Sequence, residues 1–166
     1  WICYIHLLGG TKYMQLTQNV GSTDLNTFWN DTDATESVFT VGINGDVNGS
    51  NTDYIAYLFA SLDGVSKVGS YTGNGTSQTI NCGFAAGARF VLIKRTDASG
   101  DWYFWDTARG IVSGNDPHLA LNETAAEVTT VDSIDPHNSG FIVNQDSVGV
   151  TDLNQTNQTY VFYAIA

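Results

Sequence analysis

The chain has 166 residues, 42% hydrophobic and 14% charged, with 6 Lys+Arg against 17 Asp+Glu and a formal net charge of −11. That length supports one well-buried domain, or two small ones sharing a core. So few cations exclude a nucleic-acid interface, which must displace counterions from phosphates; the acidity repels an anionic membrane, and no run approaches the ~20 apolar residues of a membrane helix.

Short runs rich in Val, Ile, Thr, Tyr and Phe, separated by Gly/Asn/Asp/Ser clusters, predict an all-β chain. The opening run WICYIHL (1–7) reads as a strand. It lacks the basic n-region and small-residue cleavage site of a signal peptide. It also starts in mid-strand without a methionine, so a fragment of a longer polypeptide is expected. Further strands are predicted at 12–17, 37–43, 54–60, 66–71, 77–84, 88–95, 101–106, 117–121, 139–144 and 159–166. STDLNTFW (22–29) has the propensity for one helical turn, and NETAAEV (122–128) has decent helix propensity. RFVLIK, TDASG and DWYFWD predict a hairpin across 88–106, the middle piece supplying turn residues. DVNGSN (46–51) spaces its oxygens loosely like a calcium loop. Its glycine falls in the wrong place and no bidentate Glu closes it, so an Asn/Gly hairpin loop is expected.

An internal repeat organises these elements. Trp1, Tyr4 and Gly9 match Trp102, Trp105 and Gly110; YMQL (13–16) matches HLAL (118–121). SVFTVG (37–42) matches SGFIVN (139–144), and DYIAYLFA (53–60) matches TYVFYAIA (159–166). Four blocks in one order, each keeping its aromatic and aliphatic pattern, predict a duplicated unit of about a hundred residues. The first copy, 1–60, lacks counterparts for the strands that open the second. Residues 61–66 are the linker and 67–166 the complete second copy. A linker this short places both copies in one body, an all-β, β-sandwich or jelly-roll-like architecture.

Few residues carry chemistry. Asp101 and Asp106 bracket DWYFWD but sit at a turn and a strand end, where short polar side chains satisfy backbone donors. Asp106 faces Arg109 as an ordinary ion pair. His118 aligns with Tyr13, a packing position rather than a base, and the two Asp-Pro-His runs (116–118 and 135–137) read as turns, so no metal site is expected. Cys3 and Cys82 lie in apolar runs and read as buried free thiols. Six Asn-x-Ser/Thr sequons, Asn154 among them, follow from polar turns alone. Four of the six cations (Arg89, Lys94, Arg95, Arg109) fall in 89–109, a local positive region or a charge balance against Asp97, Asp101 and Asp106. Alternation places Trp102 and Phe104 on one strand face and Tyr103 and Trp105 on the other, both apolar. The candidate binding or subunit-contact residues are therefore Tyr103, Trp105, Arg95 and Arg109; no catalytic residue and no cofactor is expected.

GSYTGNGTSQTINCGFAAGARFVLIKRTDASGDWYFWDTARG, followed by LALNETAAE, SGFIV and YVFYAIA, resembles a repeated domain of undefined function. That domain occurs in tail-fibre or appendage proteins of marine bacteriophages, especially cyanophages. The resemblance spans essentially the whole chain, since GTKYMQL and YIAYLFA in the first copy are variants of the same motifs. It implies a non-enzymatic virion protein on an external appendage. Its partners would be other copies, as a homotrimer, other virion proteins, and a host-surface glycan. The alternative is a purely architectural capsid-decoration, fibre-shaft or filament subunit without a ligand.

Overall fold

Residues 1–144 and 153–166 are described by a computed structural model of the chain. Among them the fold is all-β: three antiparallel sheets, with helix confined to single turns.

The first sheet is a small meander of β1 (Ile2–Cys3), β2 (Lys12–Gln15) and β3 (Thr23–Asp24). It is followed by α1 (Asn26–Trp29), the turn expected from STDLNTFW, which buries Phe28 and Trp29. The indole N–H of Trp29 donates to the Lys12 carbonyl at 3.0 Å, tying this turn to β2. Residues 46–51 do not form a hairpin loop. They contribute to α2 (Gly45–Asn48), because the Asn44 side chain caps the Asp46 N–H at 2.9 Å. No strand forms over 37–43 or 54–60, where two were expected.

The second half holds β4 (Ser66–Thr72), β5 (Gln78–Asn81), β6 (Phe90–Arg95), β7 (Trp102–Asp106), β8 (Leu119–Ala120), β9 (Ile134–His137), β10 (Gly140–Val143) and β11 (Thr159–Ile165). They form a five-stranded sheet, β4-β11-β6-β7-β8, and a three-stranded sheet, β5-β10-β9. The expected β6–β7 hairpin is present, with Phe90 opposite Asp106 and Lys94 opposite Trp102. β11 lies inside the larger sheet because its sequence is apolar on both faces and both its edges are paired. β9 contains Pro136, which lacks a donor N–H, and occupies the edge where that loss is tolerated. Residues 122–128 form no helix; Val128 instead bridges to His118.

The two sheets of the second half contribute to one core. Val91, Ile93, Trp105, Tyr160, Phe162 and Ala164 face Ile80, Ile134, Phe141 and Val143, with Phe141 edge-on to Phe162 at 5.5 Å. Gly69 is dictated by this packing: a Cβ there would come within 2.3 Å of the Phe162 ring. Asn154 closes one end of the core. Wholly buried, its amide accepts from Asn74 N–H and Gln78 and donates to the Thr76 and Asn144 carbonyls. That sequon asparagine is structural.

The N-terminal meander and the β7–β8 region share one register. Ile2 opposes Gln15 and Cys3 opposes Met14; Tyr103 opposes Ala120 and Phe104 opposes Leu119. Leu16 N–H donates to the Trp1 carbonyl, and Leu121 N–H to that of Trp102. Tyr13 pairs with Thr23, and His118 bridges to Val128. The Ile2–Gln15 and Cys3–Met14 pairs fall on the residues matched to Tyr103–Ala120 and Phe104–Leu119.

Candidate functional site

The two faces of β7 have different fates. Trp105 is fully buried and Tyr103 packs beside it, so this face belongs to the core. His118 lies against both rings, at 5.6 Å from Tyr103 and 5.4 Å from Trp105. Its burial pushes the imidazole below its ordinary value of 6.5. Trp105 offers no surface to a ligand, and its Nε1 has no hydrogen-bond partner among the described residues. Tyr103 spends its hydroxyl on Asp101 at 3.1 Å.

Three of the four clustered cations are engaged within the fold, while Arg89 is exposed. Lys94 is buried, with Nζ donating to the Asn19 carbonyl at 2.9 Å and to that of Gly100, and lies 5.8 Å from the centre of the Trp102 ring. Burial lowers its pKa to about 8, opposed by nearby Asp101. Arg95 is held by Asp97 and Gln155, each at 2.9 Å, and by Gln158. Arg109 bonds Asp106 and, at 2.9 Å, Glu127. Of the four proposed contact residues, Tyr103 and Trp105 are thus brought together in the core, while Arg95 and Arg109 lie apart in separate ion-pair networks.

Asp101 and Asp106 serve the hairpin. Asp101 accepts from Asn122 at 2.8 Å, and Asp106 accepts the Arg109 N–H at 2.9 Å. Among the described residues Asp116 is the one carboxylate that is wholly buried, accepting from the N–H groups of Val112, Ser133 and Ile134 at 3.0–3.2 Å. Burial raises its pKa to about 6 against the pull of those three donors. It pins the GNDP turn to β9. No three His, Cys, Asp or Glu side chains among the described residues gather as metal ligands. A shallow cleft of about 220 Å³ beside β2 is lined by Tyr13, Gln15, Gln18 and Thr23 and holds no ionisable pair.

The surface that stands out is the outer face of the large sheet. Cross-strand pairing aligns Val68, Tyr163, Leu92, Phe104 and Leu119 in one row, with Ile165 and Phe90 in the next. All seven are only half-buried. Their rings run on from one another: Phe59 to Tyr163 at 5.1 Å, Tyr163 to Phe90 at 6.3 Å, and Phe90 to Phe104 at 6.0 Å. Arg109 ends the row, 5.2 Å from the Phe104 ring centre. Beside it lie Ile55, Tyr57, Leu58 and Phe59, each 65–77% exposed. Alternation separated Phe104 from Tyr103 and Trp105 in the sequence, but nothing there marked Phe104's end of its face as the open one, the other end being closed by the buried Trp102, Lys94 and Val161.

The family model described as "Domain of unknown function (DUF7483)" matches residues 1–166. The chain belongs to the DUF7483 family. Comparison of this DUF7483 chain with curated proteins and with solved structures returns no match.

Proposed function

We propose that this DUF7483 chain is a non-enzymatic structural and adhesive domain of a bacteriophage virion appendage, built as a β-sandwich from a duplicated unit. The observation that carries the assembly role is the aromatic row Phe59–Tyr163–Phe90–Phe104 on the outer sheet face. Such a surface is stable in water when covered by a neighbour, and aromatics are enriched at subunit contacts. The common register of β1–β2–β3 and β7–β8 supports the duplication, and the core shared by two facing sheets supports the sandwich. The virion setting is supported by the motif resemblance.

Copies held in a symmetric trimer would each bind a host glycan weakly and gain avidity together. The purely architectural reading has one observation in its favour: the row is apolar, and its terminal Arg109 is engaged by Asp106 and Glu127. Sugar recognition needs polar groups beside the rings. A host-derived glycan array together with light scattering on the purified chain tests both. A discrete oligomer that binds glycan supports the adhesin; an oligomer without glycan binding supports the architectural subunit. A monomer that binds nothing overturns both.

A further inference from the structure

We infer that residues 53–60 are an interior β-strand whose two sheet neighbours come from a further polypeptide segment with the pattern of residues 66–95. Docking of that segment makes the exposed stretch the centre of a second sheet. The inference rests on the duplicated reading above and adds what the first copy binds.

Its sequence is that of a central strand. Tyr54 and Tyr57 match Tyr160 and Tyr163 of β11, and Ile55 and Phe59 match Val161 and Ile165. In β11 both edges are taken, one by β4 and the other by β6. Tyr160 and Ala164 are 0% exposed and Val161 is 6% exposed, against 44% for Tyr54, 72% for Ile55 and 77% for Leu58. Among the described residues, no backbone–backbone hydrogen bond involves residues 53–60. The Ala60 carbonyl accepts from the Ser66 hydroxyl at 2.7 Å; an apolar stretch whose other backbone groups are open is a template for pairing.

The neighbouring elements fit the same occupant. β7 pairs with both β6 and β8, whereas among the described residues β1, its counterpart, pairs only with β2. The open edge of β1 is the side on which a β6-like strand would lie. Tyr57 touches Trp1 with ring centres 5.5 Å apart, so 53–60 lies against the start of the first sheet. One β6-like strand would serve both, as β6 itself lies between β11 and β7. A β4-like strand would take the remaining edge. Pairing two copies of 53–60 with each other would fill one edge of each and leave β1 open.

The test compares the 166-residue chain with the same chain carrying a second copy of residues 61–101 joined directly before Trp1. Asp101 then precedes Trp1 as it precedes Trp102. Amide hydrogen exchange is expected to be fast at 54–60 in the shorter chain and slowed by about a hundredfold or more in the extended monomer. Val91→Asp with Ile93→Asp in the added copy should return 54–60 to fast exchange. Unchanged exchange in the extended chain overturns the inference. So does protection in the shorter chain that grows with concentration, which assigns the stretch to self-pairing. If the extended chain does not fold, residues 61–101 are supplied as a separate polypeptide, and no protection there overturns it equally. Amides 2–16 are read in the same experiment. Protection there without a gain at 54–60 removes this inference alone; no protection at 2–16 in the shorter chain removes the duplicated reading too.

Discussion

Residues 53–60 and 159–166 carry nearly the same apolar pattern and end in opposite environments. The later stretch is the interior strand β11, paired on both edges, with Phe162 5% exposed. The earlier one forms no strand, and Phe59 is 65% exposed. β-propensity describes fit to a pleated, half-buried surface rather than an intrinsic backbone choice. The same residues are a strand where Ser66–Thr72 and Phe90–Arg95 flank them, and an irregular apolar segment where no strand does.

The contrast is broken most strongly at its centre. Phe162→Ala should cost about 3–5 kcal/mol by urea denaturation, as for large-to-small core changes. Phe59→Ala, the same truncation made in the exposed stretch, should change stability by about 0.5 kcal/mol or less. Equal costs would mean that 53–60 is packed in solution.

A second pair compares two aspartates. Asp116→Ala strands three buried N–H donors and should cost about 3 kcal/mol, whereas Asp33→Ala releases only the part-buried Gly10 N–H, at about 1 kcal/mol. A reversed order in thermal unfolding would remove Asp116 from its role as the pin between the GNDP turn and β9.

The acid response separates two buried groups of the second half. His118 is held below 6.5, so its contribution is complete above pH 6.5 and is lost as pH falls, because the unfolded chain takes up the proton first. Asp116 is raised from 3.8 to about 6, so the folded chain takes up that proton first and gains relative stability as pH falls from about 6 to about 4. The two slopes oppose each other. His118→Phe should therefore become relatively more stable than the parent chain as pH falls from 6.5 to 4, read from denaturation midpoints. A parallel pH profile for the two chains would show that His118 is not buried neutral.

The smallest effect is in thiol chemistry. Burial raises both thiols, Cys82 to about 11, but Cys3 in β1 is only half-buried while Cys82 is buried. Alkylation at pH 8 followed by mass spectrometry should modify Cys3 first. Prior labelling of Cys82 would place the more open of the two regions in the second half.

Much of the second half was legible in the sequence. TDASG between two apolar runs gave the β6–β7 hairpin, and an uninterrupted apolar run gave β11. IDPH did not read as a strand because proline and charge signal a turn, a signal that only an edge position overrides. DVNGSN lost its hairpin reading to one side-chain cap from Asn44, a contact too local and specific for composition to reveal. For the surface, alternation separated Trp105 from Phe104 but could not say which was inside.

By itself the sequence determined the all-β class, the hairpin and the two-faced apolar character of β7, because turn chemistry and side-chain alternation are local. Tertiary structure alone decided that Tyr103 and Trp105 face the core, that Lys94 and Arg95 are engaged, that Arg109 reaches Glu127 as well as Asp106, and that 53–60 stays outside a sheet. Each of those depends on which distant strand supplies an edge or a face, and strand pairing is non-local.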